Sequence, residues 1–212
     1  MPFDFLKRKK AAPSAPAASS APATESIAFE GLTEDWRLVG RMIIAGRLSD
    51  ALNKREPITI SDVSWAPIDG SEPLVAAPGL KSIDPYDLVI VLAGSSSLPE
   101  MSADERLAHK VHKVSYEVAL EAPPYRVVGT IHLYPGSEPQ SLLNRSSEMF
   151  VPVVGATATI GDKPIGPAGL DAVLVNRAYL RGVAQVDART GEPHETLPGA
   201  PLGGVNWTDR SR

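Results

Sequence analysis

The 212-residue chain contains no cysteine, only four histidines and 6% aromatic residues. Without thiols there can be no disulfide, no thiolate metal site and no cysteine nucleophile. That absence also fits a reducing compartment. No apolar run approaches the roughly 18 to 20 residues needed for a membrane-spanning helix. A basic surface is missing as well. Four cations against Asp4 and Glu25 give residues 1–25 a net +2, so the whole-chain charge of −4 leaves −6 on residues 26–212. Binding to a phosphate backbone requires lysines and arginines gathered on one face, so a nucleic-acid partner is disfavoured.

Turn formers are abundant, with twenty prolines and seventeen glycines. Many of them fall at the ends. Residues 1–25 read as a basic head and an Ala/Pro/Ser linker, which cannot bury enough apolar surface to offset its ordering entropy and should be an extended spacer. A secretory signal would need a proline-poor apolar core where this tract begins, so the reading is of a cytoplasmic protein. In the head, Phe3, Phe5 and Leu6 stand beside Lys7, Arg8, Lys9 and Lys10. That combination suits weak contact of residues 1–10 with an anionic membrane, at the inner face of the cell membrane, or with a protein partner. The bland alternative is a solvated start.

Between residues 26 and 186 apolar residues recur with period two, the signature of strands. Leu38, Gly40, Met42 and Ile44 share one strand face and Val39, Arg41 and Ile43 the other. The pattern returns 89 residues later, with Val127, Gly129, Ile131 and Leu133 on the first face. Each run is preceded by another alternating segment across a turn, giving a β-hairpin. Downstream, Leu52-Asn53 lies over Leu143-Asn144, and Ile58–Val63 over Phe150–Gly155. A last strand, Leu88–Leu92, is matched with Ala172–Asn176, after which residues 179–186 read as one further strand. The pattern predicts an internal duplication. The expected architecture is mainly β, with two tandem related small β-lobes, barrel- or sandwich-like, each with one short helix and related by a pseudo-twofold. The divisions are 26–93 for the first repeat, 94–113 for a helical connector opened by the capping box Ser102–Glu105, 114–186 for the second repeat and 187–212 for a disordered tail. One such repeat alone would bury only about 60% of its unfolded surface, so the two are expected to pack together.

Arg47-Leu-Ser-Asp50 with Leu52-Asn53, Leu143-Asn144-Arg145, Phe150-Val-Pro-Val153 and Val175-Asn176-Arg177 resemble a small bacterial domain family of unknown function. In that family an RLSD-x-LN helix precedes an aromatic-x-Pro strand and a last strand ending in VNR. The first copy lacks the last two elements, and the second has Glu138 and Ser141 where the first has Arg47 and Asp50. The resemblance implies the duplication and brings no catalytic residue with it. The motif reads structurally: Leu48 and Leu52 share a helical face, Arg47 and Asp50 stand three apart, and Asn53 suits a left-handed C-terminal position. Taken functionally, Arg47, Asp50 and Asn53 would form a polar binding constellation.

Chemical motifs are sparse. His109 and His112 with Glu105 have helical metal-ligand spacing but lack a further ligand, and a solvated helix explains them better. Gly94-Ser-Ser-Ser97 lacks the Gly-x-Ser-x-Gly elbow. Gly155 to Lys163 lacks the Gly-Lys-Ser/Thr ending of a phosphate loop and reads as strand and turn. No catalytic, metal-binding or cofactor-binding residue stands out. More informative are Val39 and Ile43, and Val128, His132 and Tyr134, which make the outer strand faces partly apolar. Such a face is either covered by the companion copy or left as a patch for self-association or a partner. The sequence therefore points to a non-enzymatic interaction or scaffold module. A Sm-like small-barrel nucleic-acid binder and a hydrolase with an inter-lobe site are the alternatives.

Overall fold

The computed structural model describes residues 24–94, 113–144, 148–187 and 190. The protein is mainly β. Its strands are β1 (Thr24–Leu32), β2 (Trp36–Ala45), β3 (Ile58–Pro67), β4 (Val75–Ala76), β5 (Ser82–Ile83), β6 (Ile90–Ala93), β7 (Val114–Ala122), β8 (Tyr125–Leu133), β9 (Phe150–Ile160), β10 (Lys163–Asn176) and β11 (Gly182–Gln185). One α-helix, α1 (Leu48–Asn53), follows β2. The β1–β2 turn is held by Thr33, whose Oγ1 accepts from the Trp36 and Asp35 amides at 2.9 and 3.3 Å. Along β2, buried Leu38, Met42 and Ile44 alternate with exposed Arg41 and Ile43, as period two requires.

All the strands but β5 lie along one sheet in the order β11-β7-β8-β9-β10-β6-β1-β2-β3-β4, and β5 pairs with the start of β3. The antiparallel pair β6–β10 sits at its middle, with a separate core on each face. Ile90, Leu92, Val173 and Val175 point into one core with Tyr125, Val127, Ile131 and Val153. Val91, Ala93, Ala172 and Leu174 point into the other with Phe29, Leu38, Met42 and Leu52. Strands covered on both faces lose their polar alternation, which is why these two read as unbroken apolar runs. The halves are not separate lobes. They share this central pair, each building its core on one side of it.

The halves repeat one another in pairing register. Leu32↔Arg37 in the first hairpin has its counterpart in Glu121↔Arg126. Across the next ladder Val39↔Ser64 answers to Val128↔Thr157, and beyond a one-residue register shift Arg41↔Ser61 answers to Thr130↔Val154. The shifts share a cause. Asp62 and Gly155 take φ of 53° and 57°, bulging the outer strand against Gly40 and Gly129. A Cβ on either glycine would sit 2.9 Å from a carbonyl oxygen, that of Ser61 or Val154. Glycine is needed there for close backbone approach.

Two expectations change. β6 pairs with β1 through Leu32↔Ile90, and β11 pairs with β7 through Glu121↔Gly182, so the counterpart of β6 is β11 and not Ala172–Asn176. The C-terminal part of β10 instead corresponds to β5, since Ile58↔Ile83 answers to Val151↔Val175. Matching turns follow: Asp84 accepts from the Tyr86 amide at 2.9 Å and Asn176 from the Ala178 amide at 3.0 Å. Hydrophobicity matches β6 with β10 because they are neighbours buried alike, whereas β11 ends the strand path among the described residues. The pseudo-twofold also gives way. A twofold would form the β6–β10 junction twice; among the described residues it occurs once, and the strand path ends at β11 and β4. The halves are joined head to tail.

Candidate functional site

The motif residues shape the junction between the halves. The Asn53 amide brackets the first residue of β9, its Oδ1 accepting from the Phe150 N–H at 2.7 Å and its Nδ2 donating to the Phe150 carbonyl at 3.3 Å. Because it is used this way, Asn53 stays helical. The left-handed conformation expected of it falls on Arg55, with φ of 61°. Arg47 stands at the N-terminal cap of α1 and Asp50 in its first turn, on the exposed side. The Asn53 side chain is thus engaged with the protein's own backbone. Asn176, fully buried, donates to the Leu88 and Pro85 carbonyls at 2.8 and 3.4 Å. Buried Arg177 donates to the carbonyls of Leu142, Ser141 and Asn144, capping the 3-10 turn Pro139–Leu143 that stands in the second half where α1 stands in the first. Burial holds the Arg177 guanidinium below its ordinary pKa, with Glu148 opposing.

Tyr125 closes one core. It is buried, its hydroxyl donates to the Thr33 carbonyl, and burial together with Asp35 and Glu34 pushes its pKa up. Its neighbours on that face are Ala158 and Ile165, which pair across β9 and β10. The corresponding place in the first half is open. Trp36, Trp65 and Val75 stand there, Trp65 and Val75 paired across β3 and β4. The two indoles stack at 4.6 Å between centroids and 24° between planes, yet they are 39% and 41% exposed, and Val75 and Leu74 are more exposed still. Trp36 shares its strand face with buried Leu38, and Trp65 shares its face with buried Val63. The stacked pair therefore continues the inner face of the core out to solvent. Sequence reading did not single out these residues. The signal was available, since Trp36 aligns with Tyr125 at the start of the echoed strand.

The outer-face candidates stay at the surface. Val39 and Val128 are half-buried, Ile43 is exposed, His132 Nδ1 lies 3.0 Å from the Ser115 hydroxyl, and Tyr134 lies under the Lys113 ammonium at 5.4 Å. Among the described residues the halves pair along β6 and β10. Phe3, Phe5, Leu6, Lys7, Arg8, Lys9, Lys10, Glu105, His109, His112 and Ser95–Ser97 lie outside the described residues. Among the described residues no group of three His, Asp or Glu could hold a metal ion, and no helix is long and apolar enough to cross a membrane. The chain matches no protein-family model, no curated protein and no solved structure.

Proposed function

We propose that this protein is a non-enzymatic interaction or scaffold module, built by internal duplication, that presents the Trp36–Trp65 edge to a protein partner while residues 1–25 tether it. The stacked, solvent-exposed tryptophans carry the reading. Exposed contiguous apolar surface around large aromatics marks interaction sites, and tryptophan is the residue most enriched where binding energy concentrates. The matched registers support the duplication. The buried polar side chains support a structural role for the shared motif, since Asn53, Asn176 and Arg177 all bind the chain's own carbonyls or amides. A photo-crosslinking amino acid in place of Trp65 should give a protein adduct in cells, whereas the same group at exposed Thr157 should not. Deleting residues 1–10 should leave that adduct intact but abolish low-salt co-sedimentation with anionic vesicles. Equal adducts at both positions would overturn the interaction reading.

A further inference from the structure

We propose that the partner at this edge is a second copy of the chain, and that chains join head to tail by repeating between molecules the β6–β10 junction that each contains once. The inference rests on the reading above and names its partner.

The internal junction joins two dissimilar elements, β6 as the last strand of the first half and the C-terminal part of β10 as the last but one of the second, in the register Ile90↔Val175, Val91↔Leu174, Leu92↔Val173. The same two element types are left unpaired at the ends. β11 is the counterpart of β6 and, among the described residues, pairs only with β7; β5 is the counterpart of the C-terminal part of β10 and, among the described residues, pairs only with β3. A heterologous contact whose two complementary edges both lack a strand partner among the described residues can repeat from molecule to molecule, and it closes into a ring when the rotation permits.

The strand correspondences fix the register between chains. Val91↔Leu174 inside the chain becomes Val183 of one chain opposite Ser82 of the next, with Gly182 opposite Ile83. Backbone polarity agrees. The Val186 amide donates to the Glu117 carbonyl, so the even residues of β11 face β7 and Val183 turns its N–H and C=O to the free edge. On the other edge the Ile60 amide donates to the Lys81 carbonyl, which leaves the Ser82 groups pointing outward.

Side-chain volume agrees as well. Inside the chain a small platform, Tyr125 with Ala158, receives large Ile90, Leu92 and Leu32 in one core. Between chains a large platform, Trp36 with Trp65, would receive their counterparts Gly182, Ala184 and Glu121. Large-on-small becomes small-on-large. One difference weakens the outer junction. Asp84 stands where Asn176 donates two hydrogen bonds to the facing backbone, and a carboxylate cannot donate them. The contact between chains is therefore reversible.

The chain contains no cysteine, which allows a clean test on the full-length protein. Directly opposed antiparallel residues lie about 5.5 Å apart at Cα in a hydrogen-bonded pair, within disulfide reach. Single-cysteine chains Ser82→Cys and Val183→Cys are mixed and mildly oxidised, and sedimentation velocity is run on the wild type across a concentration series. The expected result is a mixed 82–183 disulfide in large excess over 82–82 and 183–183, with wild-type species at whole multiples of the chain mass. Exposed Trp65→Glu, with its unfolding midpoint unchanged, should weaken self-association at least about tenfold. A wild type that is monomeric throughout, an absent mixed disulfide, or a dominant 82–82 product overturns head-to-tail assembly. If adducts at position 65 persist in that case, the interaction reading survives with a different protein as partner.

Discussion

Replacing Asn53 with alanine tests whether the shared motif holds the fold or binds a ligand. The substitution removes the acceptor 2.7 Å from the Phe150 N–H and the donor 3.3 Å from its carbonyl. Phe150 is fully buried, so its amide is left without water as well as without a partner. An orphaned buried donor costs about 1–3 kcal/mol, and the longer second bond adds about 0.5 kcal/mol. The expected loss is about 2–3 kcal/mol, or about 5–10 °C in melting temperature for a chain of this size. Asn53→Asp keeps the acceptor and should fall between alanine and wild type. Asp50→Ala, on the exposed side of α1, should change stability by less than about 0.5 kcal/mol. Urea unfolding with unchanged m-values reads all three directly. An Asn53→Ala loss no larger than that of Asp50→Ala would refute the structural account and return Arg47, Asp50 and Asn53 to consideration as a binding constellation.

Gly129→Ala places a Cβ 2.9 Å from the Val154 carbonyl oxygen and 3.0 Å from the Ala156 Cα, backbone atoms that cannot swing aside, and should cost about 1–3 kcal/mol. Gly40→Ala should behave alike, whereas Gly79→Ala, with open space around it, should be near neutral by the same denaturation assay. The raised pKa of Tyr125 means that the native state favours the neutral phenol. Its contribution is fully present below the unfolded tyrosine pKa of about 10 and is lost as pH rises above it. Wild-type stability should therefore fall more steeply than that of Tyr125→Phe between pH values of about 9 and 11, and parallel slopes would contradict the assignment.

Local chemistry made much of the fold legible. Period-two alternation located both hairpins, and the repeated mid-strand glycines marked the two bulges, because backbone approach at Gly40 and Gly129 leaves no room for a side chain. The 89-residue echo carried the repetition. The candidate site was less legible. Trp36 alternates correctly onto an inner face, and no local pattern distinguishes an aromatic residue that a neighbour will cover from one that none covers.

The hairpin strands, their inward faces and the 89-residue echo are written in local chemistry, since each depends on neighbours a few residues away or on likeness between two segments. Which strands correspond emerges only from long-range pairing. β6 and β10 look alike because they are buried on both faces of one sheet, while β11, the structural counterpart of β6, lies at an edge and carries Gly182 and Ala184 where β6 carries Ile90 and Leu92. Apolar content reports where a strand lies in the sheet, and position is fixed only when distant segments pair. The same pairing buried Tyr125 and left Trp36 and Trp65 in the open, because a strand edge and an adjoining turn from the other half cover the one and nothing among the described residues covers the others.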